Sequence, residues 1–452
     1  MFGRAVDHNQ TPTASRNKRI VLIVAAAVAV ATIAVPVVWW WWQSSEVQAA
    51  LAAIRARGEP VTPDELYANS PRIPPDKDCF ALYQADERTW MKAYRDKLRL
   101  LPQFDSDQQL PELAGEWEAL PIAEQLLLDC REDFARWHQA AALGGRANFP
   151  MHAEEGYGGS VPWVSPLRGI VRCLLLEGYL RARHGDATGA TDSLCDALTI
   201  AQSLESNPLA VSQLVRMSNQ RAFVRNLKHL LPQVNFSAQD LERLQVALAA
   251  VDIRPGLQIG LLGDRVAGIV SADDPTTMGY NLRIGGNLTT AIHYATKQQL
   301  AVRYLDAMRR LIDVAAQPWA VVVAQTEDVK HPTYPPRRST FDFDLLPEFL
   351  GHLVQYVREG ARTTAANQVG ILALALARYR LDQGRFPEQL SDLAPSYITE
   401  VPLDATSGEP FVYKLDDRGL LLHSKWHDVN SKIDAETGAD QELLFRWPID
   451  GK

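Results

Sequence analysis

The stretch Gly144–Pro166 gathers the residue types best suited to chemistry, with His152, Glu154 and Glu155 standing beside Gly156, Gly158 and Gly159. A histidine flanked by carboxylates is the material of a general base or a metal site, and clustered glycines let backbone N–H groups close on a phosphate. The spacing fits no established constellation. The glycines lack the GxxxxGK(S/T) order, and His152 has neither an HExxH nor an HxE...PCxxC context. A surface loop is the plainer reading. The alternative is a membrane-tethered hydrolase working through residues 150–160, or through Asp342 and Asp344. No GxSxG, HExxH or Walker sequence supports it, and the residues assign no catalytic or cofactor-binding side chain.

Other reactive types are scattered. Cys79, Cys130, Cys173 and Cys195 include no CxxC pair and no His at zinc-finger spacing. Outside the cytoplasm these four cysteines allow up to two disulfides in any of three pairings, while burial as free thiols is the plainer expectation. The net charge is −8, and the first 42 residues hold Arg4, Arg16, Lys18 and Arg19 against Asp7 alone. The remainder is therefore acidic with no long basic run, which argues against a nucleic-acid partner.

The element that must place all of this is Ile20–Trp42, 23 residues in which Thr32 is the only polar side chain apart from the closing tryptophans. At ~1.5 Å per residue a helix of that length spans about 34 Å, enough for a hydrocarbon core of ~30 Å. Arg16, Lys18 and Arg19 precede it, and Trp39 to Trp42 close it. The positive-inside rule then leaves residues 1–19 in the cytoplasm and the body outside, in the periplasm of a double-membrane bacterium. A cleaved signal peptide is the competing reading, and the length of the run argues against it. No later segment is expected to reach membrane length.

Residues 44–316 read as a helical body. A helix over Glu46–Arg57 ends at Gly58, and Thr62, Pro63 and Glu65 form a capping box for the next. Ile122–Ala142 reads as one amphipathic helix, Ser237 and Asp240 start another, and a long one covers Thr289–Ala316. Gly178, Gly185, Ala190, Leu194 and Ala197 stand at the small and apolar positions of a tetratricopeptide repeat. The stretch near 171–204 thus resembles one such helix pair, with an ordinary helical hairpin as the plainer reading, since a solenoid needs about three units. Residues 317–347, with Pro332, Pro335, Pro336 and Pro347, read as a connector.

The C-terminal part, 348–452, opens with a long helix striped by Val369, Leu372, Ala373, Leu376 and Tyr379. Gly384, Phe386 and Pro387 follow, then Pro402 and Asp404, then Gly408 and Pro410 before strands near Phe411–Leu415, Leu420–Ser424 and Leu443–Trp447. This order resembles the globular domain of the major pseudopilins of type II secretion, over about 365–447. The apolar run begins at Arg19 and Ile20 without the family's processing site and with no Glu inside it, so the resemblance concerns the globular module alone. It implies a long helix, a Pro-x-Asp loop and a small antiparallel sheet. It also implies calcium in the C-terminal loop, where Asp428, Asn430 and Asp434 offer hard oxygen donors. His423 and His427 offer imidazoles in the same region.

The expected fold is mainly α, a multi-helix body behind one N-terminal transmembrane helix, with a small C-terminal α+β module. The expected role is non-enzymatic, structural or protein-binding, beside an envelope or secretion apparatus, with the membrane and other proteins as partners.

Overall fold

In the computed structural model the fold is built on a buried helical hairpin whose two arms approach closely because Gly178 has no side chain; a Cβ there would stand 3.3 Å from Leu194 Cγ. The structure describes residues 44–84, 94, 96–104, 108–273, 286–328, 346–417, 419–426, 433–434, 436 and 440–448. The expected membrane segment Ile20–Trp42, along with Asp342 and Asp344, lies outside the described residues.

The first described element is helix α1, residues 44–56, whose Ala50, Leu51 and Ile54 turn one face into the body. Helix α2 (Pro63–Asn69) starts as its sequence requires, with Thr62 Oγ1 accepting Glu65 N–H at 3.2 Å. The expected capping box is only half formed, because the Glu65 carboxylate reaches one residue further back than the cap, to Val61 N–H at 2.8 Å. Helix α3 (Phe80–Gln84) is followed by α4 (Leu120–Asp129) and α5 (Arg131–Ala142). The single helix expected over Ile122–Ala142 is thus two, broken at Cys130.

The hairpin itself is α6 (Val164–Arg183) and α7 (Ala187–Ala201), turning at Gly185 with φ +82°. Helix α8 (Ala210–Leu230) packs on both arms, and α9 (Ala238–Ala249) begins with the capping box of Ser237 and Asp240. Helices α10 (Arg254–Asp273), α11 (Gly286–Ala315) and α12 (Trp319–Asp328) complete the body. Part of the expected connector 317–347 is therefore helix; residues 329–345 lie outside the described residues.

One described stretch, Ala238–Ala272, does reach membrane length, with a mean hydropathy of 1.3 over its most apolar window. This corrects the expectation that none would. The backbone leaves the helix at 250–253, and the second half carries fully buried Arg265, paired with Glu59 and bonded to Pro60 O. An ion pair satisfied by other parts of the body is the signature of a core helix.

Helix α13 (Leu346–Gln383) runs about 57 Å at ~1.5 Å per residue and packs against α8, α9, α10, α11 and α12. Its stripe Val369, Leu372, Ala373 and Leu376 is fully buried. Gly384, at φ +68°, ends it. A three-stranded antiparallel meander follows, β1 (Val412–Asp416), β2 (Gly419–His423) and β3 (Leu444–Pro448), with Leu422 opposite Tyr413 on one side and Phe445 on the other. One apolar core runs without interruption from Cys79 through the α6–α7 hairpin and α13 to Phe445.

Polar contacts lock the C-terminal part in place. Arg362 of α13 pairs with fully buried Asp440 at 2.9 Å, and Arg221 of α8 bridges Glu359 at 2.9 Å and Glu442 at 3.1 Å. Lys228 Nζ donates to the carbonyls of Glu442 at 2.6 Å and Leu444 at 2.8 Å. Burial brings the Lys228 ammonium down to about 8.

Candidate functional site

The Gly-rich loop is held down, residue by residue. It forms a short 3-10 turn, Ala153–Gly158, packed on α10. Tyr67 of α2 stands with its hydroxyl 2.5 Å from Glu154 Oε2 and accepts Ala153 N–H at 2.7 Å. Burial and the Glu154 carboxylate push the Tyr67 phenol up to about 12, and the Tyr67 hydrogen bond holds Glu154 below the usual carboxylate range. His152 Nδ1 is 3.5 Å from Glu154 and 3.8 Å from Glu155 at the solvent edge. The glycines answer to the backbone: Gly156 has φ +58°, and a Cβ on Gly159 would come within 2.8 Å of His152 O. No N–H cradle for a phosphate follows from them.

A denser titratable cluster lies elsewhere, on the hairpin. His138 of α5 has Nδ1 2.6 Å from Asp196 Oδ2 of α7 and Nε2 2.9 Å from Glu177 Oε2 of α6. Glu177 also accepts Ser193 Oγ at 2.9 Å and Arg181 Nη2 at 2.8 Å. The hydrogen bonds to Asp196 and then to Glu177 push His138 up to about 9. Burial alone would raise Glu177; His138 and Arg181 more than offset it and keep it ionised. The group opens on a shallow pocket of about 330 Å³ lined by His138, Arg181, Asp192, Asp196 and Arg243.

This geometry limits the chemistry. An imidazole facing a carboxylate at each nitrogen is a cation at neutral pH and has no lone pair for a substrate proton. Ser193 Oγ gives its hydrogen to carboxylate or backbone oxygens, Glu177 or Gly189 O, and not to the imidazole. The cluster therefore acts as an ionic clamp tying α5, α6 and α7 together. Nothing in the chain pattern singled out His138; the one available hint is Glu177, a charged residue inside the apolar face Leu174–Leu180.

At the C-terminal end, Asp428, Asn430 and His427 lie outside the described residues. Asp434 Oδ1 accepts Arg446 Nη2 at 2.9 Å and Glu436 N–H at 3.2 Å. His423 is buried, with Nδ1 2.7 Å from Ser424 O. Among the described residues no group of three or more His, Cys, Asp or Glu stands together as a metal site. The four cysteines are free thiols, and burial pushes Cys130 and Cys195 up to about 11, far from thiolate reactivity at neutral pH.

The residues that pattern the C-terminal end have visible structural duties. Fully buried Asp404 accepts Thr406 N–H and Oγ1 at 2.9 and 2.7 Å through Oδ1, and Ser407 and Ser424 hydroxyls at 3.1 and 2.6 Å through Oδ2. Arg380 stands 5.0 Å from the ring centres of both Phe386 and Trp447, and Tyr413 OH donates to Pro387 O at 2.7 Å. Comparison of the chain with protein-family models, with curated proteins and with solved structures returns no match.

Proposed function

We propose that the chain is a single-pass membrane-anchored protein whose helical body and pseudopilin-like end lie outside the cytoplasm. Its role in this reading is structural and protein-binding, beside an envelope or secretion apparatus. The observation that carries the reading is the seating of α1. The described residues open in this helix, which is docked into the body through Ala50, Leu51 and Ile54. The docked Ala50 lies only eight positions after Trp42, which limits the reach of the chain between an anchor and the body and suits a body held near the bilayer. A hydrolase working through residues 150–160 has less support, because Tyr67 already occupies Glu154 and His152 has no buried partner.

The test is topological. Full-length protein should stay in the membrane pellet through alkaline carbonate extraction, and deletion of 20–42 should release it. A phosphatase fused after Lys452 should be active. An inactive phosphatase together with a bright cytoplasmic reporter at the same position would overturn the placement.

A further inference from the structure

Among the described residues the C-terminal sheet has one covered edge and one open edge. At β3, Lys228 Nζ of α8 donates to Leu444 O at 2.8 Å, Arg446 pairs with Asp434 at 2.9 Å and Glu436 at 2.7 Å, and Pro448 has no N–H to offer. Strand β1 instead ends in three exposed residues, Lys414, Leu415 and Asp416, and among the described residues no backbone bond outside the sheet is made from 412–415. An uncovered strand edge is a template for another strand.

The hairpin fixes which groups face that edge. Only two residues separate Asp416 from Gly419, so this closing pair exchanges both of its hydrogen bonds. By alternation Val412, Lys414 and Asp416 turn their N–H and C=O groups to β2, and Tyr413 and Leu415 turn theirs outward. Side chains alternate as well: Tyr413 and Leu415 share the core face with buried Leu422 and Leu420 opposite them, and Lys414 and Asp416 lie on the other face. Leu415, Leu420 and Trp447 form one apolar row across the sheet, and the row stops at Leu415, which is 42% exposed.

We propose that β1 pairs antiparallel with β1 of a second copy of this chain, Leu415 against Leu415, joining the two three-stranded sheets into one about a two-fold axis. The order Lys414, Leu415, Asp416 is its own complement in that register. Each Lys414 then faces the other copy's Asp416 in a non-hydrogen-bonded pair, where Cα atoms approach to ~4.5 Å and side chains lie closest. The outward backbone groups of Leu415 bond across the axis, and the apolar row continues from Leu415 to its counterpart. Other registers lack this match. Centred on Lys414 or on Asp416, the pairing sets like charges face to face; centred on Tyr413, it sets Asp416 against Pro410, which has no N–H. A partner strand of unrelated sequence has no reason to carry this complement, whereas a second copy always does.

The experiment is sedimentation equilibrium of the full chain in density-matched detergent over about 1–100 μM, the weak range expected of so small an interface. Wild type should form dimers. Lys414→Glu, which makes both cross-strand pairs repulsive, should weaken dimerisation about tenfold. Lys414→Glu combined with Asp416→Lys restores opposite charges and should return the dissociation constant to within about twofold of wild type. Leu415→Pro removes an N–H that β1 does not use within its own sheet, so it should keep the fold and abolish the dimer. Wild type that stays monomeric throughout the range would overturn the proposal, as would a dimer indifferent to Lys414→Glu or one that the double exchange fails to restore. Should Leu415→Pro not fold, the two charge variants decide.

Discussion

Replacing His138 by Gln removes a charge that the hairpin holds between Asp196 and Glu177, and the cost should depend on pH in a calculable way. The folded value is about 9 against 6.5 for a free imidazole. Each unit is worth ~1.36 kcal/mol, so the clamp contributes up to about 3 kcal/mol. Because the folded value is raised, that stability is fully present below 6.5 and is lost as pH rises through 9. Between pH 6.5 and 8 about 1.5 kcal/mol of it should vanish by the same linkage. Lys228, held down to about 8, adds stability with rising pH in both proteins and cancels in the difference. Urea unfolding followed by tryptophan fluorescence, with buried Trp137 beside the clamp, should show the gap between wild type and His138→Gln narrowing over this window. A gap that stays constant or widens would refute the ionic reading of the cluster.

Arg362→Ala strands fully buried Asp440, which should cost about 3–5 kcal/mol and make 440–448 an early site of limited proteolysis; unchanged cleavage would count against the lock. Asp404→Ala removes an acceptor of four hydrogen bonds and should cost about 2–4 kcal/mol, visible as a lower urea midpoint with the hairpin cleaved first. His152→Ala touches a side chain 40% exposed and should leave stability within about 0.5 kcal/mol. Loss of a measurable hydrolysis in that variant would revive the enzyme reading.

What was legible in the sequence was short-ranged. Gly185, Thr62 with Pro63, and Ser237 with Asp240 act within three or four residues, so their types alone dictate the turn or cap they make. The strands of the C-terminal sheet fall within a residue or so of their expected limits for the same reason, alternation bounded by turn residues. The candidate site was not legible. Residues 150–160 attracted notice by composition, whereas the real titratable cluster joins His138 to Asp196 across 58 positions. The break at Cys130 carries no Gly or Pro to announce it, and the prolines after 330 drew the expected connector over a segment that is helix from Trp319.

The longest-range contacts bear on how the C-terminal module is understood. A module borrowed whole should carry its own core, joined to its host by a few surface contacts. Here Lys228 reaches Glu442 across 214 positions. Helix α13, the spine of the module, gives its buried stripe to α8 and α9 as well as to the sheet. Gly370 marks the intimacy of that contact, since a Cβ there would stand 2.8 Å from Leu248 Cδ2 of α9. Such packing leaves little room for the module to swing or detach, because separation would expose the Val369–Leu376 stripe and break the pairs of Arg221 with Glu359 and Glu442. The energetics of this end therefore belong to the whole body.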